Sequence, residues 1–198
     1  MKITDVYQFY QDNVKPIYSE IEARDNNIPV ELLFETYATF DHIKRYYLNG
    51  ESEETASQKA ISHLKRGVLD AFKLKLKYLN KDIEILLNTK VDLQLIDNDQ
   101  FISSLYKDRQ EIITLAKKAR LTEGKQSKEE AFQCWNEVSI LIDDFEKKYF
   151  TQIHKIDWAK NRTFEWINKD SIRGLIVGIL SSLLVGAMLW AHHITQHR

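Results

Sequence analysis

Histidines and carboxylates on predicted helical stretches are the side chains with the types and spacing for acid–base work. Asp41 and His42 are adjacent, and Glu35 lies one heptad earlier on the same predicted helix, a geometry that can relay a proton. A solvated or structural role accounts for them more simply. His63 stands among Ala60, Leu64 and Gly67, where a histidine hydrogen-bonded across a helix contact is the ordinary explanation. His193 and His197 share one helical face beside His192 and Arg198, a spacing open to metal binding or pH sensing, although a hydrated tail fits them better. Arg66, Lys73, Lys77 and Lys81 fall on one face of a long predicted helix, with Lys59, Lys65 and Lys75 nearby and Asp70, Asp82 and Glu84 diluting the charge. That stripe reads either as a solvated face or as an anion site for RNA, a nucleotide messenger or lipid headgroups, with Phe72 and Tyr78 as stacking surfaces.

Most enzymatic constellations are absent from the sequence. No arginine stands a turn or so before a histidine in the manner of helical HEPN-type ribonucleases. Thr39, Ala60 and Thr151 occupy the positions where a di-iron bundle would carry glutamate before His42, His63 and His154. There is no H-E-x-x-H pair, no phosphate-cradling glycine loop and no G-x-S-x-G turn. Cys134 is the only cysteine, sits in the apolar context FQCWNEV, and reads as a buried side chain in a reducing compartment. The expectation is a non-enzyme with no catalytic residue, no cofactor and no metal. A formal net charge of −1 gives no global pull toward nucleic acid.

The elements that position these residues are marked out by sparse breakers, six glycines and two prolines in 198 residues. With helical periodicity throughout, this predicts an all-α protein, a cytoplasmic helical bundle of about five helices followed by one C-terminal transmembrane helix. The first helix is expected over Thr4 to Ala23, with Val6, Phe9, Tyr10, Val14, Ile17 and Ile21 inward and Pro16 kinking or splitting it. Asn27 is a candidate cap for the second, with Pro29 in its first turn, Gly50 ending it, and Val30, Leu33, Phe34, Tyr37 and Phe40 as its buried stripe. Ser52, followed by Glu53 and Glu54, starts a long third helix that runs to about Leu87 through Gly67, burying Ala56, Ala60, Leu64, Ala71, Leu79, Ile83 and Leu86. The fourth comes after Asn98, with Phe101, Leu105, Ile112 and Ala116 inward, and fades near Gly124. Ser127 and Glu130 make a capping box for the fifth, which buries Ala131, Trp135, Val138, Ile142, Phe145 and Tyr149. With no glycine or proline from there to Gly174, the fifth helix is expected to be nearly continuous with the C-terminal apolar run. Residues 1–153 are thus assigned to the bundle, 154–173 to a juxtamembrane helix or linker, 174–191 to the membrane and 192–198 to a short external tail.

Gly174 to Ala191 contains no charged residue in 18 positions. At about 1.5 Å per residue it spans roughly 27 Å, close to the hydrocarbon core of a bilayer. Its place at the C-terminal end argues against a signal peptide. Lys155, Lys160, Arg162, Lys169 and Arg173 precede it and only Arg198 comes after, so the positive-inside rule puts the bundle in the cytoplasm and the protein in the inner (plasma) membrane as a single-pass chain. Trp158, Trp166, Arg173 and Trp190 are the expected interface residues, with domain packing an equal reading for the first two. Gly174, Gly178, Ser182 and Gly186 recur every fourth position and form a small-residue stripe that suits close helix–helix approach, hence homo-oligomerisation. Apart from Ser181 and Ser182 the run offers no polar side chain before His192, so any pore is narrow or lined by small residues and backbone.

The segment ASQKAISHLKRGVLDAFKLKLKYL (Ala56 to Leu79), with a bundle and one hydrophobic span after it, resembles small helical membrane effectors that accompany bacterial anti-phage systems, including CRISPR systems that target RNA. The resemblance implies an oligomer that permeabilises or depolarises the inner membrane when infection is sensed. Its expected partners are the lipid bilayer, further copies of the chain, and RNA, a nucleotide messenger or a defence-system protein. Two other functions are compatible with the residues: a membrane-tethered adaptor for a protein or RNA, and a cryptic helical nuclease.

Overall fold

The local signals set most helix ends. The computed structural model describes residues 1–123 and 128–196, and their side chains except those at 128, 164–171 and 187–196. Seven α-helices and no strand occur among the described residues: α1 (Ile3–Phe9), α2 (Lys15–Asp25), α3 (Val30–Asn49), α4 (Glu53–Leu87), α5 (Gln100–Glu123), α6 (Lys128–Tyr149) and α7 (Ile153–Gln196). The all-α expectation holds at that level. Ser52 caps α4 by accepting from the Thr55 N–H at 3.2 Å. Gly50 closes α3 at φ 71°, a conformation that costs glycine nothing.

Three boundaries differ from expectation. Pro16 neither kinks one helix nor breaks it with a loop: α1 and α2 are joined by a single π-helical turn, Tyr10–Val14. Proline has no N–H for the i−4 carbonyl and its ring crowds that carbonyl, and the wider turn relieves both problems. Asn26, at φ 47°, caps the end of α2, and Pro29 rather than Asn27 precedes the first residue of α3. Between α6 and α7 the helix is interrupted at Phe150, Thr151 and Gln152, so the expected continuity into the apolar run is broken. The expected cap Ser127 and the stop at Gly124 lie outside the described residues.

The chain divides into two compact units. The first, Met1–Thr89 and Leu105–Thr151, is organised around α4, against which α1, α2, α3 and α6 all pack. Its core holds Ala56, Ala60, Leu64, Ala71, Leu79, Ile83 and Leu86 of α4, Leu105, Ile112 and Ala116 of α5, and Ala131, Trp135, Val138, Ile142, Phe145 and Tyr149 of α6, as their periodicity predicts. Cys134 is buried and unbridged. From α1, the π-helical turn and α2, Val6, Val14, Ile17 and Ile21 are buried, but Tyr10 is exposed and Phe9 only half-buried.

Two cations tie α2, α4 and α6 together inside this unit. Lys75 is fully buried, its ammonium 2.8 Å from Glu20, 2.5 Å from Asp143 and 3.1 Å from the Ser139 hydroxyl. A buried ammonium needs such a complete set of acceptors. Arg24 bonds Asp82 and also Glu146 at 2.7 Å, while its guanidinium lies 5.4 Å from the centre of the Tyr78 ring.

The second unit comprises Lys90–Ser104 and Gln152–Arg198. A 3-10 turn, Leu93–Leu95, is followed by Asp97, Asn98 and Asp99, all left-handed, which bring the chain into α5. Asp and Asn adopt that conformation more readily than other non-glycine residues. This segment packs on the first turns of α7: Leu93, Ile96 and Ala159 are buried, Lys155 pairs with Asp97 at 2.5 Å, and the Asp92 N–H donates to the Thr163 hydroxyl at 3.0 Å. Among the described residues no helix is long and apolar enough to cross a membrane. The expected transmembrane helix is therefore not among the described features: the described side chains of the apolar run end at residue 186, and those of 187–191 lie outside the described residues.

Candidate functional site

On α7 the described part of the apolar run presents large side chains on every side of the helix. Ile172, Leu175, Ile176, Val177, Ile179, Leu180, Leu183, Leu184 and Val185 are 50 to 66% exposed. Around Gly174, Gly178 and Gly186 an added Cβ would meet nothing within 4 Å, so the small-residue stripe is bare among the described residues. The Ser181 and Ser182 hydroxyls both donate to the Gly178 carbonyl, at 3.0 and 2.9 Å, which satisfies their donors within the helix itself. Trp158 is half-exposed with the Arg162 guanidinium 5.9 Å from its ring centre, and Arg173 is exposed. The side chains of Trp166, Trp190, His192, His193, His197 and Arg198 lie outside the described residues.

The four cations of the expected basic stripe of α4 differ in the partners they meet. Arg66 bonds Glu35 at 3.2 Å. Lys73 is held by Asp70 at 3.0 Å and Glu123 at 3.1 Å, with the Trp135 ring centre 6.0 Å away. Lys75 is the buried strut described above, and Phe72 is buried, so neither meets a ligand from solvent. Lys77 and Lys81 are exposed and form no ion pair among the described residues. They stand on a cleft of about 950 Å³ that Asp25, Glu31 and Glu84 also line. Such mixed charge weakens the attraction of an anion.

α3 overturns the expected buried stripe. Its buried residues are Leu32, Thr39 and Ile43, whereas Val30, Leu33, Phe34, Tyr37 and Phe40 are all exposed, together with Tyr47 and Leu48. The helix turns its more polar face to α4 because α4 offers that face specific partners. At Gly67 a Cβ would stand 2.8 Å from Leu32 Cδ1 and 3.2 Å from Leu32 Cα, so the glycine is a notch that admits Leu32. The Thr39 hydroxyl donates to the Ala60 carbonyl at 3.1 Å. Glu35 accepts from His63 Nδ1 at 2.5 Å and from Arg66.

These contacts create a polar cluster that the sequence reveals only piecewise. Local context marks His63 as a helix-contact histidine, as found, but does not pair it with Glu35. The His42 and His63 rings stack with centroids 5.2 Å apart. Asp41, the expected companion of His42, instead pairs with Arg45 at 2.6 Å. Burial, then the positive partners His63, Arg45 and Lys59, hold the His42 imidazole below its ordinary pKa in spite of Glu51. The 3.9 Å approach of His42 Nδ1 to Glu51 is thus not an ion pair at neutral pH. Glu51 itself is held below the usual carboxylate range by the hydrogen bond from Lys59. Among the described residues no group of three or more His, Cys, Asp or Glu side chains could hold a metal ion. Chemically, the cluster joins α3 to α4 and orients an imidazole against a carboxylate.

Comparison with protein-family models, with curated proteins and with solved structures finds no match to this chain.

Proposed function

We propose that the chain is a membrane-anchored assembly protein: a helical bundle tethered by the C-terminal part of α7, whose copies gather in the inner membrane and permeabilise or depolarise it, in the manner of anti-phage effectors. The observation that carries this reading is the ring of nine exposed apolar side chains from Ile172 to Val185. Leaving that surface in water costs on the order of 10 kcal/mol, and a helix apolar all round is stable only inside protein or lipid. The preceding basic residues favour a bundle on the cytoplasmic side. The back-bonded serines leave no donor to resist the hydrocarbon, and the bare stripe Gly174, Gly178, Ser182 and Gly186 suits the helix of another copy. No catalytic step is assigned. An anionic activator, RNA or a nucleotide messenger, would meet the protein at Lys77 and Lys81, the exposed cations of the α4 stripe that no carboxylate holds among the described residues.

The test is alkaline extraction and vesicle flotation of the full chain, followed by dye release and conductance in planar bilayers. Retention in the lipid fraction with release abolished by joint Gly178→Leu, Ser182→Leu and Gly186→Leu substitution is the expected result. Full extraction into the alkaline supernatant would refute the anchor. Firm anchoring of a monomer without conductance would make the protein a tethered adaptor.

A further inference from the structure

We infer that the cleft bordered by α2, α3, α4 and α5 binds a nucleoside phosphate, with Arg109, Lys77 and Lys81 on the phosphate and Glu31 and Glu84 toward the base. This rests on the reading above only for its anionic activator, to which it gives a chemical class and a further contact, Arg109. The cleft lies wholly within the first unit and, at about 950 Å³, has the size of a small-molecule site. Arg109, on α5, is half-buried and forms no ion pair among the described residues, since its sequence neighbour Asp108 is taken by Lys148 and Tyr149. Its Nε is shut off from solvent without a hydrogen-bond partner among them, and one Nη reaches Asn80 Oδ1 only at 3.4 Å, longer than an ordinary N–H···O bond. A guanidinium drawn out of water in this way calls for an oxyanion, which its planar fork takes in a bidentate grip.

Asn80 stands on the same turn of α4 as Lys77 and Lys81, so its contact with Arg109 gathers the unpaired cations of the cleft around that turn. Glu84 lies two turns beyond Lys77, about 10 Å along the axis, a reach comparable with that from the phosphate to the base edge of a nucleotide. Glu84 and Glu31, which also line the cleft, form no ion pair among the described residues, whereas Asp25 accepts from the Tyr78 hydroxyl at 2.8 Å. Carboxylates so placed repel a bare anion but accept from the ring and exocyclic N–H groups of a base. The mixed charge therefore favours a ligand that is anionic at one end and a donor at the other. Tyr78, held by Asp25 and by the Arg24 guanidinium 5.4 Å from its ring centre, is a fixed aromatic wall for the base. An RNA strand fits less well, because Arg66 and Lys73, farther along α4, are held by Glu35, Asp70 and Glu123 and leave no continuous cationic track.

The test titrates the full chain in mild detergent with ATP, GTP, CTP, UTP and inorganic triphosphate by isothermal titration calorimetry, apart from any vesicle or conductance assay. At least one nucleotide should bind about tenfold or more tighter than inorganic triphosphate and raise the thermal midpoint. Arg109→Met should weaken that nucleotide at least about tenfold, as loss of a charge-assisted contact does, and leave the midpoint of the unliganded chain unchanged, since no ion pair within the protein is lost. Joint Lys77→Met and Lys81→Met substitution, at exposed sites, should weaken it comparably and carries the test if Arg109→Met fails to fold. Joint Glu31→Ala and Glu84→Ala substitution should act with opposite signs, weakening the nucleotide and tightening inorganic triphosphate. No nucleotide binding up to about 1 mM overturns the inference, as does an affinity that neither cation variant changes. Equal affinity for nucleotides and inorganic triphosphate, the mark of an adventitious ion only, also overturns it, and so does an effect of one sign in the double glutamate variant. Nucleotide binding by a chain that alkali fully extracts would refute the membrane reading alone, and firm anchoring without nucleotide binding would refute this inference alone.

Discussion

α3 and α6 are close in length and each carries an aromatic stripe at helical spacing, but they treat that stripe in opposite ways. α6 buries Trp135, Val138, Ile142, Phe145 and Tyr149 in the core of its unit. α3 leaves Phe34, Tyr37 and Phe40 in the open and faces α4 with Leu32, Glu35, Thr39 and Ile43. The difference lies in what the neighbouring helix offers. Against α6, α4 and α5 present apolar side chains and a few polar locks at the margins, such as Tyr149 donating to Asp108 at 2.7 Å. Against α3, α4 presents the Gly67 notch, the Ala60 carbonyl, His63 and Arg66, a set that only the polar face of α3 can satisfy.

The sharpest way to break this contrast is truncation at the centre of each stripe. Trp135→Ala should cost about 3–5 kcal/mol, the range for emptying a fully buried aromatic site, and lower the thermal midpoint of the full chain in mild detergent, read by circular dichroism. Phe34→Ser should leave that midpoint within a degree or two. Comparable losses in the two variants would mean that α3 is buried in the isolated chain after all.

Lys75→Ala tests the strut between α2, α4 and α6. Its loss leaves Glu20 and Asp143 without their cation, and because both carboxylates are more than a third exposed and can rehydrate, we expect about 2–3 kcal/mol, below the usual cost of breaking a buried pair. A variant as stable as the parent would show that the ammonium is replaceable by water.

Gly67→Val asks whether the notch sets the approach of α3. Overpacking there should cost about 2 kcal/mol, and Leu32→Ala in the same chain should recover part of it, because the two sites share one contact. Independent, additive losses would separate the notch from the orientation of α3.

The smallest effect is a pH dependence. His42 in the folded chain titrates below its ordinary value, so the unfolded chain takes up the proton first as pH falls. Its contribution to stability is full above about pH 6.5 and is lost as pH drops through that value toward the folded one. The thermal midpoint should therefore fall between pH 7.5 and 5.5, and His42→Gln should flatten that slope. An unchanged slope would assign the acid sensitivity to other groups.

How far the residues alone reach is clear from particular elements. The cap at Ser52, the stop at Gly50, the inward residues of α4, α5 and α6, and the uncharged run from Gly174 to Ala191 are all legible, because caps, left-handed stops and hydrophobic period are local properties. The interruption at 150–152 is not legible, since no glycine or proline marks it. The left-handed run Asp97–Asp99 is likewise hidden among residues that equally suit a loop.

Sequence by itself thus determined the all-α class, most helix boundaries and the core side of α4, α5 and α6. Tertiary structure decided which face of α3 turns inward, that Lys75 is a buried strut rather than part of a basic surface, and that Glu35 meets His63 and Arg66. The physical reason is that helical periodicity reports that two faces differ, whereas the direction each one takes depends on the groups that a distant helix holds against it.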